Sequence, residues 1–297
     1  MQYRRIDYKI TGIDDDLRDI AQQHEFNFFN PKFGLFFQPE ANQKAYLSYA
    51  VANREPSRAN YVDANPTGKQ PVHETLYDWE LGYSYLSSRF TAGANLYYMN
   101  YKNQLVLTGQ INDVGAPVMV NVDKSYRAGL ELQAEWKLSK SLQWNVNATF
   151  SRNKISNFTE YVDNWDTWGQ EVLELGETDL SFSPNLTGNS QIVFTPIKNV
   201  DISLVSSYVS KQFIDNTSNS DRMLNAYFVN NLKANYSFKT GWFEGITLHL
   251  MVNNLLNEQY ESNAWVYSYY LGGERFKQDG YFPQANRNFM FGVDFKF

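Results

Sequence analysis

From Tyr126 to Leu138 the chain alternates between two chemistries. Tyr126, Ala128, Leu130, Leu132, Ala134, Trp136 and Leu138 fall on even positions, and Arg127, Gly129, Glu131, Gln133, Glu135 and Lys137 on odd ones. This is the period of a β-strand with one apolar and one polar face. The chain turns at Ser139 to Ser141 and returns with Leu142, Trp144, Val146, Ala148 and Phe150 alternating against Gln143, Asn145, Asn147, Thr149 and Ser151. A three-residue hairpin keeps both apolar sets on one face. The pattern recurs with Phe90, Ala92, Ala94, Leu96 and Tyr98, with Ile246, Leu248, Leu250 and Val252, and with Phe289, Phe291, Val293, Phe295 and Phe297. Weaker alternation marks 25–37, 44–54, 75–86, 185–195, 199–210 and 225–238. With the opening ten residues, where Ile6, Tyr8 and Ile10 alternate with Arg5, Asp7 and Lys9, the pattern predicts about twelve strands.

The connections decide what the apolar face meets. Short ones fall at Gln38 to Gln43, Ser87 and Ser88, Ser139 to Ser141, Pro196 to Asn199, and 239–244. Long ones fall at 12–24, 55–74, 102–121, 153–183, 211–222 and 255–286. Short and long alternate, so one sheet edge carries tight turns and the other carries large loops. A soluble sandwich, such as a carbohydrate-binding module, has Greek-key crossings and rarely gives this. A membrane barrel with short periplasmic turns and long extracellular loops does. Strands of about 9–11 residues also suit a tilted bilayer crossing. Tyr85, Phe90, Trp136, Trp144, Phe194, Phe238, Trp242 and Phe297 gather at the short-turn edge, as the aromatic girdle of a barrel does. The expected fold is all-β: a transmembrane, antiparallel, up-and-down barrel whose apolar face meets lipid and whose polar face meets a wet lumen.

Composition narrows the function classes. No cysteine is present, which excludes a disulfide framework, a thiolate metal site and a Cys nucleophile. A net charge of −6 argues against a nucleic-acid partner. No apolar run approaches the ~18 residues of a spanning helix, and mean hydropathy is −0.51; any span is β. The first residues have no apolar signal region and read as the inside of a strand, so the chain is expected to be a piece of something longer.

Several segments resemble TonB-dependent outer-membrane receptors, particularly the iron-complex receptor type of Bacteroidetes-like bacteria. Val252 to Ser262 (VNNLLNEQYES) is similar to a near-C-terminal element of that family. Arg287 to Phe297 (RNFMFGVDFKF) is similar to its last strand, with Phe297 as the residue that the outer-membrane assembly machinery reads. Asn53 to Ala64, Tyr77 to Tyr85 and Tyr208 to Asn219 also resemble segments of these barrels. Plugged transporters of this class have about 22 strands. The resemblance therefore implies a partial barrel, residues 1–297 being its C-terminal part, with the plug domain and N-terminal strands outside the chain. It implies a bacterial outer-membrane receptor that takes up a scarce nutrient, most plausibly a ferric siderophore or other iron complex. Outer-membrane lipid and the TonB energy-transducing complex, acting through the plug, are the implied partners. A complete small porin or adhesin barrel is the alternative.

No G-x-S-x-G, P-loop or H-E-x-x-H pattern is present, so no catalytic residue and no cofactor are expected. His24, His73 and His249 lack metal-ligand spacing. Ile13 to Asp19 (IDDDLRD) has carboxylates but not the glycine and spaced ligands of a calcium loop. No metal site is expected. Candidate ligand-binding residues lie on the long connections. Arg54, Arg58 and Tyr61 sit where a strand enters its outer loop; the arginines would attract an anionic chelate or, more commonly, pair with neighbouring carboxylates. Trp165 and Trp168 stand among carboxylates in Glu160 to Glu177, as binding elements or as loop packing. Tyr267 and Tyr269, in Trp265 to Gly273 (WVYSYYLGG), would stack on an aromatic ligand.

Overall fold

The computed structural model describes residues 1–14, 17–64, 69–112 and 115–297. The strands among them are β1 (Gln2–Ile10), β2 (Gln22–Asn30), β3 (Lys32–Glu40), β4 (Gln43–Arg54), β5 (Glu74–Leu86), β6 (Phe90–Ile111), β7 (Pro117–Lys137), β8 (Leu142–Asn164) and β9 (Gly169–Asp179). The second half adds β10 (Leu186–Ile197), β11 (Val200–Val209), β12 (Gln212–Phe213), β13 (Met223–Leu224), β14 (Tyr227–Phe238), β15 (Gly245–Asn253), β16 (Glu261–Leu271), β17 (Glu274–Pro283) and β18 (Asn288–Lys296). One short helix, α1 (Arg58–Val62), starts at a capping box in which Ser57 and Asn60 satisfy each other's backbone N–H groups.

The main sheet runs β3-β4-β5-β6-β7-β8-β10-β11-β14-β15-β18, with β3 and β18 at its two edges. Every neighbour along this path is antiparallel. Of the remaining strands, β1 and β2 form a separate opening hairpin, and β9, β12, β13, β16 and β17 belong to the long connections. The order is that of an up-and-down barrel wall, and the other two sheets are two-stranded, so no second sheet covers this one as a sandwich requires.

Register follows the alternation. Trp136 pairs with Phe90 on one side and Trp144 on the other, and Leu132 with Ala94 and Ala148. The apolar set therefore lies on one face, and it is bare: Leu132, Trp136, Leu250 and Phe291 are all exposed. The opposite face carries polar rungs. Asn95 accepts from the Tyr46 hydroxyl at 3.1 Å and donates to Glu131 at 3.2 Å. Ser207 donates to Asn189 at 2.7 Å, and Asn189 to Asn147 at 3.3 Å. His249 bridges Asn235 at 2.8 Å and Asp294 at 2.7 Å. The Tyr46 ring lies over Gly82, where an added Cβ would fall 2.0 Å from a ring carbon; glycine is required there so the ring can lie flat on the wall.

Three expectations are corrected. The opening segment does not join the main sheet: β1 forms a hairpin with β2, and the wall path has eleven strands, not twelve. Residues 25–37 are two strands rather than one. Pro31 has no N–H for the ladder, and at that residue the pairing changes from β1 to β4. Four of the six long connections (102–121, 153–183, 211–222 and 255–286) are not irregular loops. β6, β7 and β8 run on for 21 to 23 residues each, and β8–β9, β12–β13 and β16–β17 form hairpins of their own. Of Ile13 to Asp19, Asp15 and Asp16 lie outside the described residues; Asp14 pairs with Arg18 at 2.9 Å.

Candidate ligand-binding site

Above the wall, two hairpins distant in sequence dock on each other. β8 crosses into this region through an irregularity between Ile155 and Phe158, where Asn157 has a φ of 54°. One extra residue on β8 flips the pleat. The buried side chains accordingly change from Asn153 and Ile155 below it to Phe158, Glu160 and Val162 above it. Phe158 and Ile155 join Val106, Val122 and Leu180 in a dry core. At its end β8 pairs in parallel with β16, Tyr269 opposite Asp163 and Tyr270 opposite Asn164.

Side chains reinforce that clasp. The Trp165 indole stacks on Tyr269 with centroids 4.2 Å apart, its N–H donates to the Tyr267 hydroxyl at 3.3 Å, and Tyr267 donates to Asp163 at 2.6 Å. Burial, with that bond to Asp163, pushes the Tyr267 phenol up from its ordinary value. Asp166 accepts the backbone N–H groups of Gly272 at 2.8 Å and Gly273 at 2.9 Å, which hold its carboxyl below the usual range.

Under the clasp is a buried ion network. Arg222, 4% exposed, donates through Nη1 to Glu160 at 2.9 Å and Asp215 at 2.6 Å, and through Nη2 to Ser268 at 2.7 Å. Arg275 closes on the same Glu160 oxygen. Burial alone would lower the Arg222 pKa; Asp215 and Glu160 outweigh it and the net direction is up. These groups tie β8, the 212–224 connection and β16–β17 together. Beside them lies a cavity of about 640 Å³, whose wall includes Phe158, Glu160, Phe182, Arg222, Trp265 and Tyr267. That is the size of a small-molecule site.

The sequence candidates separate into groups. Trp165, Tyr267 and Tyr269 come together in the clasp, with Tyr267 on the cavity wall. Trp168 stands 93% exposed at the hairpin tip. Tyr61 is buried elsewhere, stacked on His24 at 3.8 Å and packed with Ile10 and Ile20; burial first, then Tyr8 and Glu55, pushes its phenol up to about 12. Arg54 pairs with Glu74 at 2.7 Å, and Arg58 is exposed; neither lines the cavity. Phe297 is exposed at the end of the last strand. Arg222, Arg275, Asp215 and Trp265 were not expected from the sequence. Their one local signal is that charged residues sit within otherwise strand-like connections.

Comparison with known proteins fits this geometry. Residues 3–255 match the family model described as TonB dependent receptor-like, beta-barrel. The chain belongs to that family. Its setting is therefore the bacterial outer membrane. A pesticin receptor of Yersinia enterocolitica is 28% identical over 107 residues, which are 36% of this chain and 16% of that receptor. In structure, the siderophore receptor PiuA of Acinetobacter baumannii gives a TM-score of 0.72 at 15% identity, covering 96% of this chain and 38% of that one. The ferric yersiniabactin uptake receptor FyuA of Yersinia pestis gives 0.62 at 16% identity, covering 93% and 38%. At these identities the structural likeness speaks for the fold. The chain spans less than half the length of each of these relatives.

Proposed function

We propose that residues 1–297 are the C-terminal barrel portion of an outer-membrane receptor for TonB-dependent uptake of an iron chelate. The observation that carries this reading is the family match over residues 3–255. The structural relatives, a ferric yersiniabactin uptake receptor and a siderophore receptor, agree with it. The cavity beneath the clasp supplies a place for a captured ligand before it passes into the lumen; Tyr267 supplies aromatic surface on its wall, and Trp165, Tyr269 and the exposed Trp168 supply it in the clasp and at the hairpin tip above. Arg54 and Arg58 belong to a second group of loop residues that a ligand would meet at the rim, while Tyr61, buried against His24, would act only by holding that loop in place. No bond to the substrate is made or broken; the receptor binds and passes it. The plug that would couple to TonB, and the TonB complex itself, are partners of the intact receptor. Phe297 serves the barrel assembly machinery.

The test is iron-restricted uptake by cells producing the receptor that carries this sequence. Removing residues 160–177 is expected to abolish accumulation of labelled iron chelate while the barrel stays in the outer membrane. Loss of TonB is expected to do the same. Uptake that persists without TonB would make the protein a passive pore instead.

A further inference from the structure

The charges around the cavity are spent on one another. Three ionisable side chains of opposite sign line it, Glu160, Asp215 and Arg222, and the guanidinium is bound to both carboxylates. Its Nη2 donates to Ser268, and its Nε has no partner but is buried, with no surface to offer a ligand. The neighbouring cation, Arg275, closes on Glu160. The nearby Asp163 is an acid, occupied by Tyr267 and Gln170. Lys277 donates to the Asp221 carbonyl and pairs with Asp279. Among the described residues, the wall therefore offers no exposed guanidinium or ammonium group: its one cation, Arg222, is 4% exposed and already bound to both carboxylates. What remains is aromatic and neutral: Phe158, Tyr161, Phe182, Trp265 and Tyr267, with Thr108, Gln110 and Asn216 between them. Trp265 is half-exposed and lies across Gly280, where a Cβ would fall 2.4 Å from its indole nitrogen.

An iron(III) chelate is sorted by its charge. Three hydroxamates lose one proton each and leave a neutral complex; three catecholates lose two each and leave a charge of −3. Recognition of the trianion requires arginines free to donate in pairs. Here it would enter a wall whose one cation is buried and committed to two carboxylates, which themselves repel it, and desolvation would not be recovered. A neutral chelate with an apolar rim loses little on desolvation and gains the aromatic faces. Resting on the receptor reading above, we infer that this cavity takes a charge-neutral ferric chelate of the hydroxamate kind, and discriminates against catecholate and citrate anions.

Purified full-length receptor in detergent is titrated with a neutral ferric trihydroxamate, a ferric tris-catecholate and ferric citrate, following tryptophan fluorescence. The neutral complex is expected to bind at least about tenfold more tightly than either anion. Trp265→Ala should weaken it about tenfold, and Trp242→Ala, on a short turn far along the chain, should not. Asp215→Asn, which frees one positive charge, should narrow the preference. Tighter binding of an anion, with Trp265→Ala still weakening it, would overturn the charge inference and leave the receptor reading standing. Trihydroxamate binding indifferent to Trp265→Ala would also overturn it, by placing the ligand elsewhere. Binding of no chelate at all would overturn both.

Discussion

The wall and the cap of this molecule solve opposite solvent problems with the same backbone. In the wall, the large apolar side chains face outward; Phe291 is 70% exposed. In the cap, Ile155 and Phe158 are 0% and 1% exposed and pack on other side chains. Polar groups reverse as well. The wall keeps them in shallow rungs open to a wet lumen, such as Asn147–Asn189–Ser207. The cap buries a guanidinium among carboxylates. The difference teaches that the wall is specified by a local rule, one face per solvent, while the cap is specified by particular pairs.

The sharpest way to break the comparison is to remove such a pair. Arg222→Ala leaves Asp215 without its cation and Glu160 with Arg275 alone. Stripping one partner from a buried network costs about 3–5 kcal/mol, because a desolvated charge is left behind. The loss is expected to be local. The cap should melt and become protease-sensitive around 212–224 and 261–283, while the wall keeps its heat-modifiable mobility on gels. A variant that lost wall and cap together would show that the two are one cooperative unit.

The same division explains what was legible in the sequence. The alternation from Tyr126 to Trp144 needs only a period and a three-residue turn, and the register that pairs Trp136 with Trp144 follows from it. The placement of short and long connections likewise sorted the two ends of the wall. In the cap the rule fails for physical reasons. Asn157 inserts a residue and flips the pleat, so the buried positions no longer share one parity. Pro31 ends one ladder and lets another begin. Arg222 finds Glu160 across 62 residues, and Trp165 finds Tyr267 across 102; no spacing encodes such contacts. Tyr267 and Tyr269 were recognisable as an aromatic run, whereas their partner Asp163 was one acid among many.

A second prediction tests the wall's rule on adjacent residues of β7. Leu132 lies on the lipid face between Ala94 and Ala148, midway along the alternating stretch. Leu132→Arg is expected to cost about 2–4 kcal/mol of folding into bilayers, the range for an arginine near the midplane. Gln133→Arg, one residue along and facing the lumen, is expected to be nearly neutral. Refolding yields into lipid vesicles across a urea series read both. Equal costs, or the reverse order, would mean that the faces have been assigned the wrong way round.

The smallest expected effect lies at the clasp. Asp166 is exposed, yet each of its carboxylate oxygens accepts one backbone N–H, from Gly272 and Gly273. Those residues have φ values of 63° and 76°, a turn that points successive N–H groups the same way and forms a small anion nest. The two bonds hold the carboxyl below the usual range, which means that the clasped state binds the proton less tightly than the open one. The sign follows: the carboxylate's contribution is complete above the ordinary aspartate range and is lost as pH falls through the lowered value. Because the group is solvated, overall melting should not move. Amide exchange should. At neutral pH, Asp166→Ala is expected to speed exchange at Gly272 and Gly273, and at the Trp165 N–H that donates to Tyr270, while leaving amides of β7 and β8 within the membrane band unchanged. Expressed as protection factors, which remove the intrinsic slowing of exchange by acid, acidifying the unaltered protein should lower protection at the same amides, and the variant's protection there should no longer change with acid. If exchange at Gly272 and Gly273 is indifferent both to the substitution and to acid, the two hairpins are held by the Trp165–Tyr269 stack, the Tyr267–Asp163 bond, the Glu160 ion network and the parallel bridge without help from Asp166, and its carboxylate is only a surface charge.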